Sequence, residues 1–314
     1  MRIGIVVDST CDLPRKFIDD NQITILPITI RIDGDTFVDV RDPDATRHYF
    51  QGELGKRGHA AETEPLSVDA IRELFLGRLV LDYDAVFCLT VTSSRSPIFA
   101  NATQASFAIL SSYRDIRQGA GNQSPFMMRV IDTRSLFSGQ GVSAVEATRM
   151  IAADAGAGQM RERLSELSAQ TYAYALPCDL HYLRARGRSK GDRSVGLLSA
   201  TLGTALDIKP ILQCFQGETR PVAKVRGFEQ GAAMLFRHAA AAVERGLLVP
   251  ALCVSYGGEL AELEALPGYG ELVEACAAAE VTLYQSVMSI TGMVNVGTGA
   301  VTLGYAAASD DARF

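Results

Sequence analysis

The chain of 314 residues is short of the side chains that carry metal and phosphate chemistry. It has four histidines (His48, His59, His181 and His238), none at the spacing of a metal site. Six cysteines, Cys11, Cys88, Cys178, Cys214, Cys253 and Cys276, form no C-x-x-C pair. Most lie in apolar runs, so buried thiols in a reducing cytoplasm are expected rather than disulfides or zinc. There is no G-x-x-x-x-G-K-[ST] loop, and no G-x-G-x-x-G follows a strand, which removes two familiar phosphate cradles. Positive charge is also in deficit: 30 basic against 36 acidic residues leave a net charge of −6. That argues against general nucleic-acid binding, whose footprint is a basic domain. Only a short apolar run separates Arg2 from Asp8, so no signal peptide is expected. No internal repeat or low-complexity linker breaks the chain.

What is abundant is apolar surface. Hydrophobic residues make up 47% of the chain and charged residues 21%, enough to bury sizeable cores. At about 150 residues per domain the length fits two domains. Residues 281–309 carry no charge. The run exceeds the ~20 residues that cross a bilayer. It holds Gln285, Asn295, four glycines and many hydroxyls, however, and reads as buried strands around a polar loop.

The stretch 85–102, AVFCLTVTSSRSPIFANA, organises the rest. An apolar run ends in Thr90, Thr92, Ser93, Ser94 and Ser96, and Pro97 opens an Ala-rich helical segment. This predicts a buried strand, a loop at its carboxyl end and a helix. Ligands of open α/β sheets sit at such loops, and hydroxyls can donate to an oxyanion without adding charge. Capping of the helix is the other use of the same residues.

Before this stretch, strands are predicted over 2–7 and 23–32. A hairpin at Asp33-Gly34 returns over 36–38, and Asp12 is a candidate N-cap. A short helix follows Asp42-Pro43, residues 51–64 form a loop, and an amphipathic helix capped by Ser67 covers 65–81. A strand over 127–131 and a helix from Ser138 to about residue 155 come next. Past Gly156 the pattern is mixed. Helices are predicted over 160–170, 179–190, 197–206, 227–245 and within 260–279. Strands are predicted over 172–176, 207–212, 221–225, 251–256, 281–287 and 300–306. The expected fold is therefore α/β. A parallel-sheet α/β domain spans 1–156, and an α+β domain with a mixed sheet spans 157–314.

Gly187-Arg188-Ser189-Lys190-Gly191 matches G-x-S-x-G but lacks the buried strand that a nucleophile elbow needs before it. Gly297-Thr298-Gly299 either lets backbone approach a ligand or turns between strands. Arg184, Arg186, Arg188, Lys190 and Arg193 form a basic run, a solvated face or a docking patch for an anionic group. Lys209, Lys224 and Arg226 form a second basic set, with Lys224 and Arg226 on one strand face.

Taken in order, these blocks resemble the DegV family of bacterial lipid-binding proteins. Asp8-Ser9-Thr10-Cys11-Asp12-Leu13-Pro14 looks like the family's D-S-T-x-D-L-P. Thr92-Ser93-Ser94-Arg95-Ser96 sits at its Ser-Ser-x-x-Ser-Gly run, and Asp132-Thr133 with Ser138-Gly139-Gln140-Gly141 resembles D-[ST]…S-x-G-x-G. Tyr182-Leu183-Arg184-Ala185-Arg186-Gly187-Arg188 looks like Y-L-x-x-G-G-R. Leu206-Asp207-Ile208-Lys209-Pro210-Ile211 is close to L-x-I-K-P-I, and Val225-Arg226-Gly227 ends a K-x-R-G block. The chain departs from the pattern with Glu62 for Thr, Pro97 for Gly, Arg186 for Gly, Asn295 for His and Thr298 for Pro.

The resemblance implies one long-chain fatty acid bound between two domains, with no cofactor and no metal. Carried over by position, Thr63, Ser93 and Asn295 would hold the carboxylate. Thr92, Arg188, Gly297 and Thr298 would support it, and Arg226 would face phosphate or partner. The implied role is non-catalytic: a cytoplasmic subunit that presents the acid to the ATP-binding subunit of a fatty acid kinase for phospholipid synthesis. Transient membrane contact fits this role, and nucleic acid does not. A lipid-sensing regulator without kinase coupling, or an enzyme on a small carboxylated or phosphorylated metabolite, remain the alternatives. Burying ~15 methylenes at ~0.8 kcal/mol each gives a gross gain above 10 kcal/mol, before the costs of association.

Overall fold

A computed structural model describes residues 1–189, 207–312 and 314. The predicted segment 197–206 and the basic residues Lys190 and Arg193 lie outside the described residues.

The first apolar runs form a four-stranded parallel sheet, β1 (Ile3–Asp8), β2 (Thr24–Leu26), β6 (Ala85–Thr90) and β7 (Met127–Asp132), in the order β2-β1-β6-β7. Every residue of β6 is buried, as a continuous apolar run in a central parallel strand requires. Chain order reverses between β1 and β6, so the loops after these two strands flank the switch point of the sheet.

The strand expected over 23–32 is two strands. Pro27 has no N–H to continue the ladder, and β3 (Ile28–Ile32) leaves for a three-stranded antiparallel sheet, β4-β3-β5. The Ser9 hydroxyl holds this break, accepting from Ile28 N at 3.0 Å. The hairpin to β4 (Asp35–Asp39) turns at Asp33 and Gly34, with φ of 50° and 93°, the primed turn that a D-G pair favours. β5 (Glu62–Pro65) lies where a loop was expected. It is a short polar edge strand with no apolar alternation to announce it. Asp12 does not cap the helix Arg15–Asp20 that follows it: Pro14 stands at that position, without a side-chain cap. Asp42 and Ser67 do cap, accepting from Ala45 N at 2.8 Å and Ala70 N at 3.2 Å.

The second half builds a six-stranded mixed sheet from β8 (Thr171–Leu176), β9 (Ile208–Phe215), β10 (Glu218–Arg226), β11 (Ala251–Tyr256), β12 (Thr282–Val287) and β13 (Val301–Ala306). Its order is β10-β9-β8-β13-β11-β12, and only β11–β12 is parallel. The helix Phe228–Arg245 packs Leu235, Phe236 and Ala239 into one core with Tyr174, Ile211, Val254 and Leu303. Within the uncharged run, the part expected as a polar loop is the helix Ile290–Val296, capped by Ser289 accepting from Gly292 N at 3.0 Å. Among the described residues no helix is long and apolar enough to cross a membrane.

The helix Ser138–Ala152 joins the two large sheets. Its Val142 and Val145 share one apolar cluster with Ile5, Val7, Phe87 and Leu89 of the parallel sheet and Ala251, Cys253 and Ala306 of the mixed sheet. A Cβ on Gly304 would collide with the Gly139 backbone. The paired glycines thus set how closely the helix lies on β13.

Candidate functional site

The loops at the switch point are held from below by the opening D-S-T-x-D block. Asp8 ends β1 fully buried. One carboxylate oxygen accepts from Val91 N at 2.7 Å and Gln140 Nε2 at 3.1 Å, the other from Thr10 N at 3.0 Å. Burial raises its pKa, and these bonds oppose the rise. Asp8 therefore fixes the start of the hydroxyl loop to β1 and to the helix Ser138–Ala152.

Asp12 and Asp39 hold the helix Ile290–Val296. Asp12 pairs with Arg41 at 3.1 Å and accepts from Ser255 Oγ at 2.7 Å and Ser289 N at 2.9 Å. Burial raises its pKa, and Arg41 pulls it back down. Asp39 accepts from both the N–H and the hydroxyl of Thr291 at 2.8 Å. The helix so anchored packs Met293, Val294 and Val296 against Ile30, Ile32, Tyr49 and Phe137.

Asn295 lies on its last turn. Its amide donates to Thr291 O at 2.7 Å, and its Oδ1 accepts from Arg186 Nε and Nη2, both at 3.4 Å. Arg186 also donates from Nη1 to Ala61 O. Burial lowers the Arg186 pKa. One turn earlier on the helix Leu180–Ser189, the Tyr182 hydroxyl donates to Met293 O at 3.1 Å and Val294 O at 3.0 Å. Gly297, at φ 92°, passes over the Tyr182 ring, where a Cβ would come within 3.3 Å.

Thr63 opposes Ile30 in the β3–β5 ladder and is half-buried. Cross-strand partners share a face, so Thr63 points toward the cluster that contains Ile30. Glu62 alternates to the other face and is exposed. Its charge is turned away from Thr63.

The hydroxyl loop divides its work. Thr92 is buried, its N–H donating to Ser135 O at 3.0 Å and its Oγ1 3.2 Å from Ser94 Oγ. Ser94 donates to Gly217 O at 2.6 Å, and Gly217 N donates to Arg134 O at 2.7 Å, tying the loop to the β9–β10 turn. Ser93 is exposed. Its N–H donates to Asp132 Oδ2 at 3.2 Å, and among the described residues its hydroxyl has no partner. Leu136 packs against both the apolar cluster beneath this loop and the one around the helix Ile290–Val296. Beside it, Arg134 and Phe137 adopt φ of 52° and 48°, a strained turn of the kind that collects at sites.

The structure thus draws Thr63, Asn295, Gly297 and the unforeseen Arg186 and Tyr182 to one helix and its surroundings. Thr298 lies close by, against Gly55. Thr92 and Ser93 lie on the switch-point loop, where their bonds run to Ser135, Ser94 and Asp132 and not to Thr63 or Asn295. Arg188 and Arg226 are exposed and stand outside this group. The signal for Arg186 is helical period: Tyr182, Leu183, Arg186 and Gly187 are buried, while Arg184 and Arg188 are not. Ser189 ends a helix rather than following a strand, so no nucleophile elbow forms there. Among the described residues no group of three His, Cys, Asp or Glu could hold a metal ion.

A family model described as "Uncharacterised protein, DegV family" matches residues 2–308. A DegV domain-containing protein of Xanthomonas campestris pv. campestris is 57% identical over 307 residues, which cover 98% of each chain. Among solved structures, a DegV lipid binding protein from Thermotoga maritima superposes with a TM-score of 0.77 at 23% identity, covering 99% of this chain and 100% of its own. A stearic acid-binding protein from Eubacterium ventriosum superposes with a TM-score of 0.75 at 20% identity, covering 97% and 98%.

Proposed function

This chain belongs to the DegV family, and from that we propose that it binds a long-chain fatty acid, whose carboxylate is met by Thr63, Ser93 and Asn295. What supports this reading is that two of the uncharged donors, Thr63 across from Ile30 and Asn295 on the helix Ile290–Val296, sit beside an apolar cluster built on Ile30, Met288, Met293 and Val296. An acyl chain needs such a cluster, and a carboxylate leaving water needs hydrogen bonds. Thr92, Gly297 and Thr298 shape the surroundings of the head.

We also infer that the protein presents the acid to a separate ATP-dependent kinase. The kinase would transfer the γ-phosphoryl group of ATP to a carboxylate oxygen, giving acyl phosphate and ADP. Exposed Arg188 and Arg226 suit contact with an anionic nucleotide or an acidic partner face. The division into domains at 1–156 and 157–314 is part of the same proposal. Solvent extraction of the purified protein followed by mass spectrometry tests the binding: a fatty acid in near-equal amount to the chain is expected. An extract free of acyl chains, together with no uptake of added fatty acid, would contradict it.

A further inference from the structure

We infer that Arg186 is the counter-charge for the ligand's acidic head, so that the site selects an ionised carboxylate over a neutral lipid of equal length. Arg186 has this role only if the fatty-acid function proposed above holds, and it is a residue that function does not yet use.

Three arginines are buried among the described residues: Arg41, Arg117 and Arg186, at 7%, 1% and 3% exposure. Arg41 pairs with Asp12 and Arg117 with Asp84, each at 3.1 Å. Arg186 alone of the three meets no carboxylate among the described residues. Its partners are the Ala61 carbonyl and the Asn295 side-chain oxygen. The Tyr49 and Tyr182 phenols nearby stay neutral, because burial pushes Tyr49 up to about 12 and Tyr182 further.

A buried cation without an opposite charge is strongly unfavourable. A guanidinium carries five N–H donors. Three serve the bonds above, so two remain without a described partner. The planar fork matches the two oxygens of a carboxylate. The cation is also placed where a head would arrive. Ala61, which it holds, is two residues before Thr63, and Asn295, which it holds, is the other proposed donor. Tyr182 fixes the helix that carries it, through its bonds to Met293 O and Val294 O.

Equilibrium binding of radiolabelled palmitate and 1-hexadecanol, which differ only at the head, tests the assignment on wild type and Arg186→Gln. Wild type should prefer palmitate. The variant should lose about 10- to 100-fold in palmitate affinity, as for one hydrogen bond to a charged group, and change by less than about twofold toward hexadecanol. Arg186→Lys should recover part of the loss. Equal palmitate affinity in wild type and Arg186→Gln overturns the assignment. So does equal binding of both lipids by wild type, which leaves acyl binding itself intact. Binding of neither lipid by wild type removes the fatty-acid function and this role with it. Should Arg186→Gln fail to fold, carboxyl-13C palmitate bound to wild type decides. A pKa below the ordinary carboxyl value of about 4 to 5 supports the pairing, and one above it overturns it.

Discussion

At the scale of single residues, buried side chains beneath the candidate site hold its loops in place. Asp8 is the plainest case, because its two oxygens face two different backbone N–H groups, Thr10 N and Val91 N. Asp8→Asn must turn its amide NH2 toward one of them, whichever way it flips. We expect a loss of about 2–3 kcal/mol, the cost of a buried donor left unsatisfied, read as a lower urea midpoint. An unchanged midpoint would contradict it. Ser93 makes the opposite prediction. Its side chain is exposed, so Ser93→Ala should shift stability by less than about 0.5 kcal/mol. Fatty-acid affinity should still fall by about tenfold, as for one charged hydrogen bond, in a displacement assay. Affinity equal to wild type would remove Ser93 from the site. The hydroxyl cluster was visible in the sequence because Ser and Thr follow an apolar run. Arg186 was not: five basic residues interspersed over 184–193 read as a solvated face or a docking patch for an anionic group, and only Tyr182 on the same helical face singled one of them out.

At the scale of elements, the helix Ile290–Val296 is the part on which the site depends. It has seven residues and no charges, too short to hold its shape by propensity alone. Its order comes from Ser289 and from the carboxylates of Asp12 and Asp39 at its first turn, where anions are favoured by the helix dipole. Asp39→Ala would leave the N–H of Thr291 and of Arg41 unmet. A loss of about 2–4 kcal/mol follows, with weaker fatty-acid binding as Asn295 loosens. Denaturation and binding measured on the same variant check this, and a variant with native stability would refute it. The long elements were legible from period and length: β6, β7, β11, the helix Phe228–Arg245 and the Asp33-Gly34 hairpin lie close to where pattern places them. The short ones were not. Pro27 splits an apparently continuous β-branched run, β5 alternates polar residues on an edge, and the Gly-containing 289–299 run hides a helix. In each, partners distant in sequence decide the outcome, and local pattern cannot supply them.

At the scale of the molecule, the two large sheets share the helix Ser138–Ala152 and its apolar cluster, so the loops of one sheet are fixed relative to the turn of the other. The C-terminal segment is fastened separately. Asp310 Oδ2 accepts from Tyr174 OH at 2.6 Å, from His238 Nε2 at 3.1 Å and from Tyr305 OH. Burial pushes its pKa up, but the His238, Tyr174 and Tyr305 bonds outweigh this and hold it well below the usual carboxylate range. A lowered native pKa means the stabilisation is present above the unfolded value of about 4 and is lost as pH falls below it. Asp310→Asn should therefore destabilise the protein most at neutral pH, with the effect shrinking progressively as pH falls below about 4 toward the lowered native value. A pH-independent effect in urea unfolding would contradict this. The central claim is that an acyl chain lies on the cluster around Ile290–Val296 with its head among Thr63, Ser93 and Asn295. A crystal structure of the protein with stearate tests it most directly. The account predicts a carboxylate within hydrogen-bond reach of Thr63 and Asn295, and a stearate seated elsewhere, or with its head turned away from these residues, would contradict it.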